Sequence, residues 1–180
     1  GSITGAGSVE FNGALSYAGS TIATTGINKV KATKSLSLTG NTTLKNLTNE
    51  GTLAIAGHTL TLNGTNPSIF GGIVSGTGEI SLSNGVLLWN PASGSGYTGD
   101  ITVTSGTFSL GKDAGFASVT NNGILELGSN QIILTATSSI NGTVIGSREI
   151  EVTGGELTWN PTTQTHWSGD LKATGGNITG

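Results

Sequence analysis

The chain is predicted to be all-β, a right-handed parallel β-helix (β-solenoid), and three observations carry that prediction. A long block of sequence occurs twice at a constant offset: Trp159 follows Trp89, Pro161 follows Pro91 and Asp170 follows Asp100 by 70 positions each. Apolar and polar residues alternate in short runs, as in Leu36-Ser37-Leu38, Leu60-Thr61-Leu62, Ile101-Thr102-Val103, Leu125-Glu126-Leu127 and Ile150-Glu151-Val152. That period of two belongs to a strand with one buried face. Strand candidates recur every ~9–12 residues with no helical pattern between them, which suits a sandwich, a barrel or a solenoid. The internal repeat selects the solenoid, where each unit buries its apolar face against its neighbour.

Taken in order, the first copy holds Glu79-Ile80-Ser81-Leu82, then Gly85, Trp89-Asn90-Pro91 and Tyr97-Thr98-Gly99-Asp100-Ile101. The second holds Glu149-Ile150-Glu151-Val152, then Gly155, Trp159-Asn160-Pro161 and Trp167-Ser168-Gly169-Asp170-Leu171. Fainter echoes precede them. Gly51-Thr52-Leu53 answers Gly123-Ile124-Leu125 at an offset of 72, and Gly5-Ala6-Gly7 answers Gly76-Thr77-Gly78 at 71. The chain thus reads as one solenoid segment of a longer array, with units at about 1–70 and 71–140 and a partial one at 141–180. Gly, Asn and Ser between the runs supply the turns. Asn-Gly pairs such as Asn63-Gly64 and Asn84-Gly85 also suit hairpins, which keeps an antiparallel arrangement open. With ~20–25 residues per coil, the repeat would take about three coils. A rise of ~4.8 Å per coil then gives a rod roughly 35–40 Å long. The right hand follows the rule for parallel crossovers. Bare strands at both ends predict end-to-end self-association.

Composition narrows the function classes. With 31 Gly in 180 residues the chain resembles a flexible linker, but the alternating apolar runs argue for an ordered core. With a net charge of −3, the few lysines that cluster at Lys29, Lys31, Lys34 and Lys45 are too thin a patch for a phosphate-tracking groove, so nucleic acid is not an expected partner. No apolar run approaches the ~20 residues of a membrane-spanning helix. The absence of cysteine excludes a disulfide-stapled fold.

The stretch from Tyr97 to Gly111, with Gly99, Val103, Gly106, Phe108 and Leu110, resembles the autotransporter-associated β-strand repeat, and Asn122-Gly123-Ile124-Leu125 fills the place of the strand that follows it. The third unit begins the same pattern from Trp167 to Ile178. The texture of nearly the whole chain is similar to autotransporter passengers and, more loosely, to filamentous-haemagglutinin-type exoproteins. The Trp-Asn-Pro element stands outside that pattern. The resemblance implies a β-helical stalk secreted across the outer membrane and displayed on a bacterial surface, where passengers act as adhesins, toxins or proteases. A structural and adhesive role facing a host or neighbouring cell, with a glycan as one ligand, is the leading expectation.

Reactive chemistry is sparse, and no catalytic residue, metal site or cofactor is expected. His58 sits at a corner and His166 in a Thr-rich loop, with no nucleophile elbow between strand and helix. A glycan-degrading enzyme needs two carboxyls ~5–9 Å apart. Asp100 and Asp170, three coils apart, would stand ~14 Å from each other. Glu149 and Glu151 share a strand face beside Arg148 and read as a solvated surface. Asp100 and Asp170 follow Gly and read as turn formers rather than calcium ligands. Thr-x-Thr pairs, Thr102/Thr104 and Thr135/Thr137, are too scattered for an ice-binding rank. The repeated aromatics Trp89, Tyr97, Trp159 and Trp167 are the candidate ligand-binding residues. They read either as corner packing or as a periodic stacking platform for sugar rings in the 91–97 and 161–167 loops, the basis of a carbohydrate-binding alternative.

Overall fold

The computed structural model describes residues 2–180, which form twenty-eight short strands and no helix. Neighbours in every sheet are parallel and lie three strands apart in sequence, so the chain winds as a solenoid with three faces. The hairpin alternative is overturned, because each Asn-Gly pair turns the chain toward the next face.

The first face is a single ten-stranded sheet from Ile3–Gly5 to Asn177–Thr179, and the second a nine-stranded sheet from Glu10–Phe11 to Thr163–Trp167. The third face is broken. Five strands run from Ala14–Tyr17 to Gly96–Tyr97, and four more from Ala114–Phe116 to Leu171–Ala173. This makes nine coils and one further strand, so the first face spans about 43 Å at ~4.8 Å per rung.

Coils average a little under the expected ~20–25 residues and overlap only the lower end of that range. The advance ranges from 17 residues, Phe108 to Leu125, to 22, Ile22 to Leu44. The offset of 70 consequently covers eleven strands, not nine: Trp89 ends a strand of the second face and Trp159 ends one of the first. That is three and two-thirds coils, which moves equivalent residues round by one face. Asp100 and Asp170 likewise occupy different faces, the first and the approach to the third, so the expected single column of ~14 Å spacing does not exist.

Alternation decides what lies inside. Leu44, Leu62, Leu82 and Val103 stack rung on rung, and Leu60, Ile80, Ile101 and Val119 form the adjacent row; all are buried. Leu125 is fully buried, as its pattern requires. Each such aliphatic contributes ~1.5–3 kcal/mol on burial. Outside the first face, one column holds Thr21, Thr43, Thr61, Ser81, Thr102, Thr120, Ser139, Thr158 and Thr179. The hydroxyl rank absent from the linear sequence is therefore present in space, but as one column only. The positions two residues on include Lys45, Asn63, Asn122 and Asn160, so no paired Thr-x-Thr lattice forms. Thr135 and Thr137 lie in a corner.

Candidate functional site

The repeated aromatics come together in pairs. Trp89 ends the strand Val86–Trp89, the segment Ala92-Ser93-Gly94-Ser95 rounds the corner, and Tyr97 ends the two-residue strand that follows. The two ring centroids are 5.5 Å apart. Phe70, from the coil before, and Phe108 and Phe116, from the coil after, close on Trp89 at 6.0, 6.3 and 5.2 Å. These tilted and edge-on contacts are the favoured aromatic geometry. Trp89 is 3 % exposed and Tyr97 6 %, so this copy offers no ring face to a sugar.

A second set of bonds explains the Tyr-Thr-Gly-Asp sequence. The Tyr97 hydroxyl lies 2.7 Å from both the Gly78 and the Asp100 carbonyl oxygens, tying this coil to the one before it. Burial, reinforced by the Asp100 carboxylate, raises the phenol far above its ordinary pKa. Gly99 has no alternative: a Cβ there would strike the Gly78 carbonyl and approach the Tyr97 ring to 2.7 Å. Seventy residues later the same contacts recur. Trp167 Nε1 donates to the Arg148 carbonyl at 3.3 Å, and a Cβ on Gly169 would come 2.6 Å from that nitrogen. Trp159 and Trp167 are 4.8 Å apart and inclined by 50°, so even this half-buried pair is not a coplanar platform. The expected 161–167 loop is largely a strand, Thr163–Trp167, and it carries His166 into the second sheet opposite Ile145.

Buried polar groups also recur at this offset. The Ser68 hydroxyl accepts the Leu47 N–H and that of Ser138 the Val119 N–H, at 3.1 and 3.0 Å. Asn49 donates to the Ile73 carbonyl and Asn121 to that of Thr143. No sequence motif marks these residues, although Asn49/Asn121 and Ser68/Ser138 stand 72 and 70 apart in the sequence.

The titratable groups are dispersed. His58 occupies a turn several coils from His166. Asp100 accepts the Ser118 hydroxyl of the next coil at 2.6 Å, a bond between rungs rather than the local turn bond expected. Glu149 and Glu151 face outward on the third face, held by the Gln131 amide at 2.8 and 3.1 Å and by Lys172 at 3.6 and 3.2 Å. Hydrogen bonds from Lys172 and Thr174 hold the Glu151 carboxyl below its ordinary range, and the bond to Glu151 raises Lys172. Among the described residues no group of three metal-ligating side chains converges. Two depressions lie near the corners. One of about 220 Å³ is lined by Lys45, Asn63, Thr65, Asn66 and Asn84, and one of about 180 Å³ lies over the edges of Trp89 and Tyr97 beside Ser93, Lys112 and Asp113.

Set against protein-family models, curated proteins and solved structures, the chain matches none of them.

Proposed function

We propose that this chain is a segment of a right-handed, surface-displayed bacterial β-helix that works as an adhesive stalk, in the manner the likeness to autotransporter passengers implies. The observation that carries the reading is the first face. Ten strands stack without a register shift, and a column of nine small hydroxyl residues clothes them. Continuous backbone ladders over tightly stacked aliphatics resist bending, and a weakly charged, hydroxyl-rich exterior stays hydrated; both suit a rod that holds a contact away from a cell. Antibodies raised against the folded chain should label intact cells of the source bacterium. Beads coated with the chain should adhere to the partner cells that this bacterium binds. Labelling that appears only after lysis would overturn surface display, and inert beads would overturn adhesion.

A further inference from the structure

The break in the third face leaves a trough that the aromatic module does not use. Where Ala92-Ser93-Gly94-Ser95 replaces a regular strand approach, the sheet stops at Gly96–Tyr97 and resumes at Ala114–Phe116. The depression there, about 180 Å³, shares Asp113, Ala114 and Gly115 with a second of about 190 Å³. The second shares Gln131 with a third of about 250 Å³, which reaches Arg148, Glu149 and Asp170. Sharing these residues, the three depressions follow one another along the rod across five rungs, or about 19 Å.

Its lining is ordered in two columns by the sheet register. Asp113, Gln131, Glu149 and Asp170 lie rung above rung along one side. Gly115 and Ile133 lie beside the first two and make a low apolar floor. The acceptors are fixed before any ligand arrives. Asp113 takes the Gln131 N–H at 2.8 Å, and the Gln131 amide ties Glu149 to Glu151. Fixed carboxylates bind hydroxyl donors strongly, and an apolar floor suits the C–H face of a sugar ring. A run of depressions this long, shallow and open along the rod axis fits an extended chain rather than a compact ligand. Asp113, Glu149, Glu151 and Asp170 are offset by Lys112, Arg148 and the Lys172 ion pairs, so the lining carries little net charge and favours neither a polyanion nor a polycation.

We infer that this trough binds a linear, uncharged polysaccharide lying along the rod axis. It names a ligand for the adhesive reading and rests on that reading only for its cellular setting, because purified chain tests it directly.

The test is affinity electrophoresis of the purified chain in gels containing hydroxyethylcellulose, xyloglucan, galactomannan or dextran, with alginate and chitosan as charged comparisons. Gly115→Phe fills the trough without strain, since an added Cβ would meet only the Ile133 carbonyl oxygen, at 3.9 Å. At least one neutral polymer should retard the chain. Gly115→Phe should weaken that binding about tenfold or more, with thermal unfolding unchanged. Thr102→Phe, on the outside of the first face, should bind as the unaltered chain does. Retardation by no neutral polymer, retardation by chitosan or alginate alone, or equal loss in both variants would each overturn the trough. Chain-coated beads that still adhere to partner cells in those cases would leave the stalk standing without it.

Discussion

The two copies of the Trp-Asn-Pro and aromatic-x-Gly-Asp module share a sequence, an internal geometry and little else. In each, the two aromatics touch, the second bonds to a carbonyl of the preceding coil, and a glycine gives that ring its space. Yet the first copy starts at the end of the second face and is buried under three phenylalanines, whereas the second starts on the first face and stays half-buried. Leu110 is stacked above Trp89, and Phe108 and Phe116 of the same following coil close on its ring. The module is therefore a local corner device that works on any face, and its burial is set by its neighbours in adjacent coils.

Matched substitutions separate the device from its surroundings. Trp89→Ala should cost ~3–5 kcal/mol by opening a cavity among four other aromatic rings, and Trp159→Ala clearly less. Chemical denaturation of both variants decides it, and equal losses would mean that neighbouring coils contribute nothing. Gly99→Ala should follow at ~1–3 kcal/mol, because its Cβ meets backbone and a buried ring that has no room to turn. Gly169→Ala should be milder, since the Trp167 ring it meets is only half-buried; melting temperatures give the order.

Tyr97→Phe should cost ~0.5–1.5 kcal/mol through the lost hydroxyl bond, the Gly78 carbonyl keeping the Asp100 N–H at 3.1 Å. It also carries a pH signature. The fold keeps this phenol neutral, so its contribution is complete below the ordinary value of about 10 and is lost as pH rises beyond it. Alkaline unfolding curves should be less steep in Tyr97→Phe than in the parent, while Trp167→Phe should leave that steepness unaltered.

The smallest contrast lies outside the rod. Ser81 pairs with Thr102 in the first copy, and the equivalent Glu151 pairs with Lys172 in the second. The depressed Glu151 pKa contributes above the ordinary carboxylate range and is lost as pH falls, whereas the raised Lys172 contributes until pH climbs through its own. Lys172→Met should move the Glu151 titration, followed by NMR, back up toward that of a free carboxylate. An unmoved titration would show that Gln131 and Thr174 alone hold it down.

Much of the fold was legible because a strand's period of two is written residue by residue, and Leu60, Leu82, Ile101 and Leu125 all point where that period puts them. The aromatic pairs were legible as recurring types. Their burial was not: Phe70 and Phe108 stand 19 residues either side of Trp89 and Phe116 19 after Tyr97, but that spacing means contact only once the length of a coil is known. The trough left no signal at all: Asp113, Gln131, Glu149 and Asp170 align only once the coil advances of 18, 18 and 21 residues are known.

By itself, then, the sequence determined that strands form, which side of each is apolar, and that one corner device is used twice. Tertiary structure decided how many residues close a coil, and with that, which face each copy occupies. The physical reason is that strand character is a local property of alternating side chains, while coil closure is set by the corners. Their lengths vary by a few residues, and those differences accumulate with every turn of the rod.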